Sequence, residues 1–327
     1  MFGCASPTET PPIFQHEIPE GPKPWLHDRF DNKSDQFTFA IITDLNGGER
    51  PGIFEVAVAQ LNLLRPEFIL SVGDLIDGGT EDLNQLQKEW DSFDERANKA
   101  VSPLFHVGGN HDLTNVVMRD FWSKRYGPRY YHFVYKDVLF LMMDSEDYNE
   151  KRMQEIYEAR AEAIKVLDGP EPEKAKEMLY FQMPERQHGE ISDAQSSYFE
   201  EVLNRYPEVR WTFILMHKPV WKREDVGGLG RVEAALGERP FTVINGHFHT
   251  YSHTEKNEQD YIMLGTTGGG QNPDNEMAFD HVTLVTMIDE GPSIANLRLD
   301  GILDKTAKIP VGGEKLCFQA SECGEGK

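Results

Sequence analysis

The stretch Leu104-Phe-His-Val-Gly-Gly-Asn-His-Asp112 does most to limit what this chain can fold into. Val101 to Val107 is a short, largely apolar run that stops at two glycines, as a buried strand does. A carboxamide (Asn110), an imidazole (His111) and a carboxylate (Asp112) follow at once. In an α/β sheet, ligands bind beyond the carboxyl ends of the strands, so the position reads as a site address. Asn110 offers an oxygen to a metal, His111 a proton to a leaving group, and Asp112 a partner to orient that imidazole. Alone, a Gly-Asn turn needs no function. The pattern gains its weight by recurring.

Phe37 to Thr43, aromatic and β-branched, ends at Asp44-Leu45-Asn46 and two glycines. Phe68 to Val72 ends at Gly73-Asp74, with Asp77 three residues on; Arg210 to Met216 ends at His217; Phe241 to Asn245 ends at Gly246-His247-Phe248-His249. Helical spacing of apolar residues predicts helices over 52–65 and 81–98, so strand and helix alternate as far as residue 126. Such alternation implies an α/β sheet built from β-α-β units. Beyond it, Tyr130 to Tyr135 and Val138 to Met143, parted by Lys136-Asp137, read as a hairpin. Ser192 caps a helix running to Tyr206, a Gly-rich loop leads to a short helix near 231–237, and Tyr261 to Leu264 precedes Gly268-Gly-Gly270. Strands near 281–287 and 294–299 read as sheet edges.

Residues 146–190 are rich in Glu, Lys, Arg and Gln and carry the break Asp168-Gly-Pro-Glu-Pro172. They read as an inserted helical excursion, a surface insertion on the plainer view and a lid on the sharper one. The expected division is therefore an arm over 1–36, a domain over 37–300 with the insertion at about 146–190, and a tail over 301–327.

With 39% hydrophobic and 27% charged residues, the composition is that of a globular protein. The net charge of −22 argues against a nucleic-acid partner, which needs a basic stripe. No apolar run approaches the roughly 20 residues of a membrane span. Gly3-Cys4-Ala5-Ser6 before a Pro-rich segment resembles the end of a bacterial lipoprotein signal, which would put a lipid anchor on Cys4 and the protein in the periplasm or on the cell surface. Cys317 and Cys323 would then pair in an oxidising compartment. The alternative is three plain thiols in the cytoplasm.

The ordered set of Asp44, Gly73-Asp74-x-x-Asp77, Gly109-Asn110-His111-Asp112, His217 and Gly246-His247-x-His249 resembles that of a calcineurin-like metallophosphoesterase, over roughly residues 37 to 290. The resemblance implies a four-layer α/β/β/α sandwich with two metal ions at the strand ends. It places one ion on Asp44, Asp74 and His249, and shares Asp74 with a second on Asn110, His217 and His247. His111 becomes the general acid, with Asp112 steadying its ring, and Asp77 stands behind the ligands. The mixed oxygen and nitrogen donors suit divalent or mixed-valence Mn, Fe or Zn. One departure stands out: the family's first motif is Asp-x-His, and here Asn46 takes the His position. An amide there hardens the Asp44 site toward Mn or Fe, through its oxygen, through a water, or by not coordinating at all.

The implied reaction is attack of metal-activated hydroxide on a small-molecule or protein phosphate ester, with monoesters preferred. A phosphodiesterase for cyclic nucleotides or glycerophosphodiesters is the alternative, and a non-catalytic metal-holding sensor domain the rival from another class.

Overall fold

Phe37–Ile42 (β1) shows why this chain forms layers. Phe37, Phe39 and Ile41 belong to one apolar cluster and Ala40 and Ile42 to another, so the strand is buried on both faces with a period of two. The computed structural model describes residues 35–323. Cys4 and nearly all of the expected arm lie outside the described residues.

The order continues with α1 (Ile53–Leu64), β2 (Ile69–Ser71), α2 (Leu83–Ala97), β3 (Leu104–Phe105) and α3 (Val116–Tyr126). Then follow β4 (Tyr131–Tyr135), β5 (Val138–Met142), α4 (Glu150–Leu167), α5 (Leu179–Gln182), α6 (Asp193–Arg205), β6 (Trp211–Leu215) and α7 (Gly227–Leu236). The last strands are β7 (Phe241–Asn245), β8 (Ser252–Lys256), β9 (Gln259–Met263), β10 (His281–Ile288) and β11 (Gly291–Arg298). Side chains cap the helices where the sequence offers a short polar residue: Asp82 accepts from Asn84 N at 2.8 Å, and Ser192 from Gln195 N at 3.2 Å.

One sheet runs β11-β10-β1-β2-β3 and the other β4-β5-β6-β7-β9-β8. β1, β2 and β3 are mutually parallel, as are β5, β6, β7 and β9, so their carboxyl ends share an edge within each sheet. The inner faces meet through Phe39, Phe68, Phe140 and Phe213, whose rings lie 5.1–5.4 Å apart. Helices α1, α2 and α3 cover the outer face of the first sheet, and α6 and α7 that of the second. This is the α/β/β/α sandwich.

Several boundaries depart from expectation. β3 shrinks to two residues, because Pro103 precedes it and glycines follow, although Val107 N still bonds Ser71 O at 3.2 Å. α7 begins at Gly227 inside the stretch read as loop; packing against α6 outweighs the poor propensity of its glycines. β8 escaped notice because it is a polar, exposed edge strand, joined to β9 through Asn257 and Glu258 at positive φ. β10 is no edge: it pairs antiparallel with both β1 and β11, and only β11 is outermost. The end of the chain folds back, with Phe318 buried and Cys317 bridged to Cys323.

Candidate metal centre

Each candidate residue sits in the loop that leaves a parallel strand, and four of them take backbone conformations that side chains normally avoid. Asp44 (φ 48°), Asp74 (φ 56°), His247 (φ 81°) and His249 (φ 52°) are left-handed. A residue so placed costs on the order of 1 kcal/mol, and such strain gathers at functional sites. The surrounding loops hold it in place. Asp44 N donates to Gly73 O at 3.0 Å, and Leu45 N and Asn46 N donate to Asp74 O at 3.0 and 3.1 Å. Gly109 must be glycine, because a Cβ there would strike Asp74 and the ring of His217.

The three histidines beyond the strands are each fixed by one ring nitrogen. His217 Nδ1 donates to Val72 O at 2.8 Å, His249 Nδ1 to Gly270 O, and His247 Nε2 to Arg186 O at 2.7 Å. That assignment of protons follows from the carbonyl partners and leaves Nε2, Nε2 and Nδ1 as lone pairs. His217 Nε2 lies 3.0 Å from Asp74 Oδ2, buried and without an aligned hydrogen bond. His249 Nε2 lies 3.2 Å from Asp44 Oδ1. The buried Asn110 Oδ1 has no hydrogen-bond partner among the described residues. Asp74, His217 and His247 offer donor atoms that all lie within 4.8 Å of one another. Lone pairs brought together in a buried place call for a cation between them, so these residues fit a metal ion. The field there favours positive charge: burial works against a charged His217, yet Asp74 outweighs it and pushes its pKa up to about 9, so an ion held by Nε2 would take the place of a proton on that nitrogen. Burial pushes that of His247 well down.

Two expected roles are corrected. Asp112 does not steady the His111 ring. Its carboxylate accepts from Gly109 N (2.8 Å), Asp74 N (2.9 Å), Leu75 N (3.0 Å) and Ile76 N (3.2 Å), locking two strand-end loops together. The ring is held instead by Asp77, whose backbone oxygen lies 2.7 Å from His111 Nδ1. Asn46 turns away from the centre: its Nδ2 donates to Leu75 O at 3.2 Å, and it lines a neighbouring hollow with Glu49, Lys88 and Arg96. The other ligand candidates come together as described above, with Asp44 further receiving His247 N at 3.0 Å.

The cleft over the centre measures about 920 Å³ and is lined by Asp74, Asn110, His111, His247 and His249. The sequence leaves the 146–190 segment open between surface insertion and lid, and names none of its residues for the far wall of the cleft. Arg160, Tyr180, Phe181 and Arg186, all from the 146–190 segment, line it as well. The adjacent aromatic pair Tyr180-Phe181, in a stretch rich in charge, was the available signal. Lys218 and Trp221, which follow His217, are engaged in structural contacts: Lys218 Nζ reaches Glu146 at 2.8 Å and Trp221 Nε1 donates to Asn245 Oδ1 at 3.0 Å. Gly269 N donates to Asp44 O at 2.8 Å, so the glycine run braces the first loop.

A sequence model of the calcineurin-like phosphoesterase family matches residues 37–251. No curated protein matches the chain. Among solved structures, the chain is similar to a dimetal phosphatase from Danio rerio (TM-score 0.53, 16% identity, covering 80% of this chain and 98% of that one). It is also similar to GAP50, described as the anchor in the inner membrane complex of Plasmodium (TM-score 0.50, 15% identity, 84% of this chain and 87% of that one). A third is PhoD (TM-score 0.52, 10% identity, 80% and 68%). At these identities the likeness is one of fold.

Proposed function

The chain belongs to the calcineurin-like phosphoesterase family and is thus a metal-dependent hydrolase of phosphate esters; we propose that it acts on monoesters, with His111 as proton donor to the leaving oxygen. One ion would rest on Asp44, Asp74 and His249, and a second on Asp74, Asn110, His217 and His247. The observation that carries this reading is the set of three histidines, each pinned by a carbonyl on one nitrogen, with the other turned to a buried carboxylate or its neighbours. When bound, the ions would neutralise phosphoryl charge and acidify the attacking water.

The chain's own residues do the rest. Asp74 is held for sharing by His111 N, which donates to its Oδ1 at 2.8 Å and leaves Oδ2 beside His217. His111 is anchored through Nδ1 on Asp77 O, so its Nε2 edge remains for the leaving group, beside Gly47 at the cleft. A proton delivered there would be worth roughly 10²–10⁴-fold in rate. With Asn46 turned away, the Asp44 ion would have three protein ligands and bind more weakly, with Mn or Fe favoured.

Elemental analysis beside hydrolysis of p-nitrophenyl phosphate and bis-p-nitrophenyl phosphate with Mn²⁺ tests this. Two ions per chain, faster monoester turnover and a fall of about 10²-fold or more in His111→Ala are expected. Faster diester turnover would replace the monoester reading, and an unchanged rate in His111→Ala would remove that residue as the acid.

A further inference from the structure

This protein carries 55 acidic residues against 33 Lys and Arg, and several cations in and beside the 146–190 segment are engaged by carboxylates. Lys218 pairs with Glu146, Arg152 with Glu155 and Glu185, Arg129 with Asp144 and Asp147, and Arg223 with Glu190. Arg160 and Arg186 are different. Among the described residues neither guanidinium forms an ion pair or a hydrogen bond, and both line the cleft. Arg160 is only 8% exposed, and leaving such a cation buried without a counter-charge is costly. Its guanidinium occupies the place a side chain at Gly79 would need, at a φ of 63° that favours glycine, so the loop is shaped around it. Arg186 lies over the ring of Phe181, 4.6 Å from its centre, which orients a planar group without neutralising it. Asp77 and Asp168 also line the cleft, yet neither is within ion-pair range of the two.

We infer that the 146–190 segment builds an anion subsite beside the metal centre, in which Arg160 and Arg186 receive a second negatively charged group on the alcohol portion of the substrate. This rests on the phosphomonoesterase reading. The side is set by geometry: Asp77 O holds the proton donor His111, and Arg160 packs two residues further along the same loop, at Gly79. A group bonded to the leaving oxygen therefore faces Arg160. The substrate class is a small phosphate monoester bearing a further phosphate or carboxylate. A cleft of about 920 Å³ suits such a molecule, and a net charge of −22 opposes a polyanion.

The test compares kcat/KM for phenyl phosphate, 4-carboxyphenyl phosphate and 1,4-phenylene bisphosphate in wild type, Arg160→Gln, Arg160→Lys and Arg186→Gln, all with Mn²⁺. Wild type should prefer the doubly charged substrates about tenfold or more; the Gln variants should bring that ratio toward one, and Arg160→Lys should keep part of it. No preference in wild type, or a ratio unchanged in both Gln variants, overturns the subsite. Equal losses on all three substrates would place the guanidiniums on the scissile phosphate and overturn it too. Calorimetry with benzene-1,4-diphosphonate and phenylphosphonate separates this from the activity itself. If no ester turns over, the monoesterase reading fails, while about tenfold tighter binding of the diphosphonate, lost in Arg186→Gln, still supports the subsite. Equal affinities for the two phosphonates sink it.

Discussion

The strand-end loops and the 146–190 segment face each other across one cleft, but they are built on opposite principles. The loops are short, cross-linked through backbone atoms and strained at Asp44, Asp74, His247 and His249. The segment is long and lies outside both sheets, with a small apolar cluster of its own around Tyr148, Met153, Ile156 and Met183. Polar anchors join it to the rest: Lys218 to Glu146 and to Glu185 O, and Arg119 to Glu146 O and Tyr148 O. Chemistry that needs atoms fixed within a fraction of an ångström is placed on the first kind of structure. On the subsite proposed above, the part that meets the variable end of a substrate is placed on the second.

Breaking the loops should cost most. Asp112→Ala leaves four buried N–H donors without their acceptor, and a stability loss of about 3–5 kcal/mol in chemical denaturation is expected, with loss of bound metal. A loss under 1 kcal/mol would mean that the loops hold without that carboxylate. Lys218→Met attacks the other side by leaving Glu146 buried, where desolvation already raises its pKa. About 3 kcal/mol should be lost, and protease cleavage within 146–190 should quicken before the sheets unfold. Cleavage spread evenly over the chain would erase the distinction between the two regions.

Acid should sharpen it. His281, behind the first loop, accepts from Gly265 N at 2.9 Å, and burial lowers its pKa to about 4. The unfolded chain binds this proton near pH 6.5 and the folded one only near 4, so stability is full above about 6.5 and falls as pH drops toward 4. The loss from this group is about 3 kcal/mol at most. Denaturation midpoints across that window should flatten in His281→Gln; an unchanged slope would assign the acid sensitivity elsewhere.

The loops were legible because their residues end apolar runs. Asp44, Asp74, Asn110, His217, His247 and His249 each follow a parallel strand, and the hydrophobic pattern announces where that strand stops. The direction of a side chain is not announced. Asp112 bonds backbone N–H groups 36–38 residues away, and nothing local in the sequence distinguishes that from an orienting partner for the adjacent ring. Asn46 likewise answers to a carbonyl 29 residues on. Arg160 and Arg186 were hidden for another reason: in a polar stretch, charge looks like a solvated face until the fold shows which charges lack partners.

The hydrogen bond from His247 to Arg186 O bears on how such a protein can diversify. An insertion attached only at a rim can be exchanged between relatives like a cassette, altering what is accepted while the reaction is kept. Here the inserted segment reaches a ring that belongs to the metal centre. Trading it for another length or sequence would release that ring, so substrate range and metal retention must be inherited together.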